Sequence, residues 1–437
     1  MESKGQWNLV ARVIILVLAL SALPAQVGAD AGDFAGGDGS AEDPYQITDW
    51  YELDAVRDHL TDNFILMNDL DSSTGGYDEL AGPGANAGAG WDPIGYQGAS
   101  MKVGLEGQFD GGGYHIADLC INRSESETVG LFYAVRDTGV LRSVRMATSS
   151  VEGMSEVGLL VGWLGGAVQD CFAMGSAVGD VSVGGLVGRN YGTMTGSDAF
   201  VAVSGEDWIG GLVGRNDGSV DDCCASGAVS DGHLAGGLIG ANYGSVDDCY
   251  AIGAVSGSSS VGGLVGENLG SVDDCYASGA VSATLNVGGL VGADDGGSVS
   301  DSYWNTWTSG QPSSAGGTGR TTLEMVDIDT FSSWDIAAVR CGEMDPGATW
   351  NIVDGEDYPC LSRYMEQFEL KKGWNMVSLP LCCPGDGPAV DDVFDDEIEA
   401  IYCWDPVSKS YTVPTNLGAG CGYWVAVLGD KVVTYMP

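Results

Sequence analysis

A pentapeptide of the form Gly-Gly-Leu-Val/Ile-Gly recurs five times: Gly184–Gly188, Gly210–Gly214, Gly236–Gly240, Gly262–Gly266 and Gly288–Gly292. Each copy begins 26 residues after the one before it, without a slip. An unbroken period of this length is the mark of a solenoid, in which a repeat buries its apolar face only by stacking on its neighbours. Within one period, β-prone runs lie around Leu264-Val265, from Val272 to Ala277, and around Ala280-Val281, with Gly or polar residues between them. Such runs are too short for helices, and the interrupting glycines would weaken one. The expected fold class is therefore all-β: a right-handed parallel β-helix with coils of about 26 residues, short capping helices and a small C-terminal β domain.

Stacking at about 4.8 Å turns every position of the repeat into a ladder. Leu186, Leu212, Leu238, Leu264 and Leu290 form one apolar ladder, and Val220, Val246 and Val272 another. Each fully buried side chain of this size contributes about 1.5–3 kcal/mol. Asn190, Asn216, Asn242 and Asn268 are expected to form an amide ladder that satisfies a turn. Cys171, Cys223, Cys249 and Cys275 share one slot, which Ser197 fills in the remaining coil. They read as small buried hydrophobes, with bridges between adjacent coils as the rival.

Three acidic pairs occupy identical places after the Val ladder: Asp221-Asp222, Asp247-Asp248 and Asp273-Asp274. Stacked like charges repel by roughly 1 kcal/mol per pair in water. One reading is a solvated acidic corner tolerated in salt. The other is a ladder of weak calcium or magnesium sites, because hard cations favour clustered carboxylates. Net charge is −44 with only 17 basic residues. Such a surface repels nucleic acid and anionic lipid, which excludes both as partners. It suits a protein kept soluble in high salt, or one that gathers divalent cations.

The chain divides by composition. Residues 1–29 read as a secretory signal: Lys4 and Arg12, an apolar core from Val13 to Leu23, and small residues Val27-Gly28-Ala29 before the cut. That core is too short to span a bilayer, which needs about 20 residues. Residues 30–128 are expected to hold an N-terminal cap and irregular first coils, with a helix started by Asp49 and Glu52 and a first strand at Phe64–Met67. The acidic run Asn68 to Asp71 reads as a turn, against a calcium site. Residues 129–308 carry the repeats, and 309–366 a linker and C-terminal cap. There Thr321 and Glu324 form a capping box, and Trp334 and Trp350 are expected over the open end of the stack. Residues 367–437 form a small all-β module whose Trp374, Trp404 and Trp424 either pack its core or line a sugar platform. Cys341, Cys360, Cys382, Cys383, Cys403 and Cys421 are candidates for disulfides, as export permits.

The run Gly-Gly-Leu-Val-Gly-x-Asn, as at Gly184 to Asn190 and Gly262 to Asn268, resembles the GLUG motif of secreted and surface-attached bacterial and archaeal proteins. Phe109 to Ile116 resembles the coil that leads into those motifs, and Ser302 to Ile352 resembles the segment that comes after them. The fifth copy departs from the pattern, with Asp294 in place of Asn and an extra Gly at 296–297, which marks it as the last coil. The resemblance implies a secreted or cell-surface, adhesin-like β-solenoid without catalytic residues, whose partners are carbohydrate or surface proteins. The alternatives are a polysaccharide-acting β-helix enzyme, lyase or hydrolase, and an ion-binding component of a cell envelope. A lyase for acidic sugars needs basic residues, and the repeats offer little beyond Arg189 and Arg215, stacked one coil apart. No Gly-x-Ser-x-Gly elbow, His-Glu-x-x-His or P-loop occurs.

Overall fold

A computed structural model describes residues 34–340 and 345–362, and beyond them the backbone of strands between Glu366 and Tyr435. The expected secretory signal and most of the expected disulfide cysteines lie outside the described residues. From Tyr45 to Val299 the chain is wound as a parallel β-solenoid. One face is a ten-stranded parallel sheet that begins at Tyr45–Ile47, a strand the sequence reading missed, and ends at Ser298–Val299. A second face is a seven-stranded parallel sheet from Phe132–Val135 to Val291–Asp294, giving seven coils. The third face starts as long strands, Arg145–Val157 for example, and breaks in later coils into pieces such as Cys224–Ala225, Val229–Gly232 and Ala235–Gly236.

Register follows the repeat. Val187 pairs with Val213, Val213 with Ile239, Ile239 with Val265 and Val265 with Val291. The Leu ladder is fully buried, and the Leu212 amide donates to the Leu238 carbonyl at 2.9 Å, as Leu238 does to Leu264. The glycines of the pentapeptide are there for close approach. A Cβ on Gly263 would run into the Gly289 carbonyl, and one on Gly262 into the Val265 carbonyl of its own corner. Neither adopts a positive φ. The first coil is looser: Phe132 pairs with Val161, an offset of 29 residues.

Aromatic packing closes the N-terminal end. Trp50 of the short helix Trp50–Ala55 lies 5.8 Å from Trp91, and Phe64, Phe109 and Phe132 continue the stack inside the coils. Asp49 caps that helix by accepting from the Glu52 amide at 2.9 Å, while Glu52 turns back to Thr48. At the other end the Gly-Ser-rich stretch expected as a linker lies across the last coil. The Gly289 amide donates to Ser313, and Ser314 Oγ accepts from the Leu290 and Val291 amides. The Thr321–Glu324 capping box forms as expected.

Trp334 and Trp350 do not sit over the open end. They pack on the side of the last coils, against a column made by Tyr250, Tyr276 and Tyr303. The reason is local. Outward tyrosines stacked one per coil, Tyr250 on Tyr276 at 5.1 Å, leave an apolar strip that the returning chain covers. The C-terminal strands are antiparallel: Glu366–Leu370 with Lys431–Tyr435, and a four-stranded sheet containing Gly373–Ser378, Gly422–Val427, Ile398–Asp405 and Ser410–Thr412. The side chains of Trp374, Trp404 and Trp424 lie outside what the structure describes.

Candidate functional site: the acidic corner

The corner after the Val ladder is built by one conformational demand. Ser143, Asp170, Gly196, Asp222, Asp248, Asp274 and Asp301 stack as a column, and all seven have positive φ, between 36° and 60°. This left-handed turn is open to Gly and tolerated by Asp, whose short side chain bonds locally. Gly196 in the same slot shows that shape, before charge, selects the residue. The second Asp of each pair is thus a corner residue. The first belongs to the strand: Thr195, Asp221 and Asp247 pair in register.

Repeating that corner from coil to coil crowds the carboxylates. Oxygens of Asp221, Asp247 and Asp248 lie within 4.8 Å of one another, as do those of Asp273, Asp274 and Asp301. Among the expected cation ligands, Asp222 stands outside these two sets, and Asp301 is an addition the sequence reading missed. Its signal was visible, because Asp301 follows Val299 as Asp274 follows Val272. Burial, then Asp221 and Asp273, push the Asp247 carboxyl above the usual range. Burial raises Asp248 to about 6 against an opposing hydrogen bond from Trp350, with Asp247, Asp221 and Asp335 adding to the rise. Burial and then Asp273 raise Asp274 to about 7. The Trp350 indole donates to Asp248 Oδ1 at 2.6 Å. Beside it a cleft of about 380 Å³ opens between Asp222 and the returning segment, lined also by Asp335, Thr349 and Ser362.

The neighbouring ladders are structural. Each Asn is fully buried; Asn216 Nδ2 donates to Asn242 Oδ1 at 2.9 Å and to the Ser245 carbonyl at 3.2 Å, and Asn216 Oδ1 accepts from Asn190 and from the Gly218 amide. Asp294 ends the ladder because the last member needs only to accept, from Asn268 Nδ2 and the Gly297 amide. The Cys slot has a polar role that the apolar reading missed. Cys275 Sγ accepts from the Cys249 amide at 3.4 Å and donates to the Asp273 carbonyl at 2.8 Å. Ser197 and Ser302 do the same in their coils: the Cys171 and Cys275 amides donate to their hydroxyls, which donate to the Thr195 and Ser300 carbonyls. Cys171, Cys249 and Cys275 carry free thiols, so no bridge links them, and burial pushes Cys171 up to about 12.

Arg189 and Arg215 do stack, and both turn to Asp217: Arg215 in a two-pronged bond at 2.8 Å, Arg189 at 3.2 Å. Their guanidinium groups also lie over Tyr191 at 4.6 Å and Tyr243 at 4.1 Å. In the acidic run near the N-terminus, the Asp71 carboxylate accepts from the Ser73 amide and hydroxyl, which is the turn that was expected.

These features define a parallel β-solenoid with an internal amide ladder and an acidic outer corner. Residues 231–256 and 257–282 match the GLUG motif. Over 159 residues, 35% of this chain, the sequence is 34% identical to a protein of Evansella cellulosilytica provisionally named a Gly-rich membrane protein. It is 36% identical over 147 residues, 33% of this chain, to halomucin of Haloquadratum walsbyi. The matches span 17% and 2% of those two proteins. A crystal structure of a Bacteroides ovatus protein, provisionally named an immunoglobulin A1 protease, superposes with a TM-score of 0.48 at 17% identity, over 75% of this chain and 95% of that one. No helix among the described residues is long and apolar enough to cross a membrane.

Proposed function

We propose that the chain is a non-catalytic extracellular or cell-surface protein whose rigid, acidic solenoid displays binding surfaces to carbohydrate or to other surface proteins. The carrying observation is that two coils match the GLUG motif and that about a third of the chain is similar to proteins named a Gly-rich membrane protein and halomucin. Two further features support the reading. The repeat positions are occupied with stacking, as the Asn, Leu and Cys ladders are, and the arginines a polyuronate-cleaving site would use are engaged with Asp217. The test is a glycan and surface-protein binding screen, with release of reducing or unsaturated ends measured in parallel. Binding without release supports the reading, and turnover of any polysaccharide overturns it.

A second reading, compatible with the first, is that the two carboxylate sets hold calcium. Hard cations take six or more oxygens, so each set would supply part of a coordination shell and water the rest. Calcium titration followed by calorimetry tests it. A melting temperature that does not respond to calcium or chelator in dilute buffer removes this reading and leaves the first intact.

A further inference from the structure

The segment that returns along the side of the solenoid carries its own negative charge onto the acidic corner. Its described parts, residues 321–340 and 345–362, are held by aromatic contacts and by hydrogen bonds, among them those from Asn305 to Thr322 at 2.9 Å and to Tyr358 at 2.5 Å. Phe331 meets Tyr303 edge-on at 5.4 Å, Trp334 and Trp350 pack at 4.7 Å, and Tyr358 stacks on Tyr276 at 6.0 Å. Trp350 donates to Asp248, Trp334 to the Asp301 carbonyl at 2.7 Å, and the Tyr276 hydroxyl to the Pro359 carbonyl at 2.9 Å. None of these contacts is an ion pair.

Carboxylates face carboxylates across the same junction, while Glu324 at the start of the segment pairs with Arg320 at 4.0 Å. Asp335 of the segment faces Asp222 across the cleft and acts on Asp248. Asp357 of the segment is more than half buried near Tyr276. Beneath lie Asp221, Asp247, Asp273, Asp274 and Asp301. Apolar burial therefore closes the junction and like-charge repulsion opens it. Dissolved salt screens the second and leaves the first undiminished, since the screening length falls from about 30 Å at 0.01 M to about 3 Å at 1 M.

We propose that the returning segment is a salt-gated strap: it lies closed over the Tyr250–Tyr276–Tyr303 strip when salt screens the acidic corner, and lifts in dilute solution to bare those tyrosines. The sign of the response is diagnostic, because a strap held by ion pairs would loosen as salt rises. This one tightens.

Hydrogen exchange on the full chain, followed by mass spectrometry at fixed neutral pH, tests the proposal. In about 0.01 M and about 1 M NaCl, peptides covering Trp350–Ile352 are compared with peptides covering Val213–Asn216 in the seven-stranded sheet. Expected is a rise of about tenfold in strap protection with salt, the factor for a few partly exposed like-charge pairs, and a smaller change in the sheet. Asp335→Asn keeps an oxygen to accept from Thr349 and should flatten the salt response, leaving the strap closed in dilute buffer. Trp350→Phe should weaken closure at both salt concentrations while retaining the slope. Strap protection that is constant, falls with salt, or rises only in step with the sheet overturns the proposal, as does an unchanged slope in Asp335→Asn.

Discussion

At the scale of single residues, the repeat is explained by three demands: close approach at the Gly-Gly corner, paired amides at the Asn turn, and a left-handed residue at the acidic corner. The last yields a prediction against ordinary intuition. Replacing Asp274 by Gly relieves both an unfavourable φ and a crowded carboxylate, and Gly196 shows that the slot accepts it. Thermal unfolding in dilute buffer should show stabilisation by about 1 kcal/mol; a clear loss would contradict this account of the corner. The Asn ladder makes the opposite prediction by position. Asn216→Asp deprives Asn242 Oδ1 of its donor and buries a charge, so it should destabilise by at least about 2–3 kcal/mol. Asp294→Asn at the ladder's end should change stability by less than about 1 kcal/mol in chemical unfolding, because only acceptance is required there.

At the scale of elements, the corner column and the returning segment titrate together. Asp248 and Asp274 rise from the usual 3.8 to about 6 and about 7 because the folded chain buries and crowds them. A carboxyl raised by folding stabilises the fold fully below its unfolded value, and that contribution is lost as pH rises through the folded value. Stability in dilute buffer should therefore fall as pH goes from about 4 to about 7 and level off above that. Asp71 and Asp118 are held below the usual range by Ser73 and by Ser72 and Thr148, so their contribution is lost only in stronger acid. The result is a maximum in melting temperature on the acid side of neutrality, which a pH series of thermal scans checks. A melting temperature that keeps rising to pH 8 would remove the crowding argument.

At the scale of the molecule, a solenoid's stability is close to a sum of coil and interface contributions. Excision of residues 205–230 joins Ser204 to Asp231 and removes one whole coil in frame. The ladders close over the gap, and the Tyr250–Tyr303 strip under the returning segment is left whole. The shortened chain should keep its β-sheet circular dichroism and melt slightly lower. Removing half as many residues should abolish folding, since a half-coil shift places polar residues on the Leu ladder.

Much of this was legible in the residues. The strict 26-residue spacing, the inward Leu and Val ladders, the Asn turn and the final coil at Asp294 can all be read from the sequence, because each is a nearest-neighbour property repeated at a fixed offset. The corner was half legible. The Asp pairs announced themselves by charge, whereas the left-handed column containing Ser143, Asp170, Gly196 and Asp301 is a backbone property with no single residue type to mark it. The side-on path of Trp334 and Trp350, the bond from Trp350 to Asp248 and the packing of Ser313–Ala315 on the last coil were decided only by the tertiary structure. They join segments up to 102 residues apart with no shared period, so nothing local in the chain specifies them. What repeats could be read from the sequence; where the non-repeating chain came to rest depended on the surface the repeats had built.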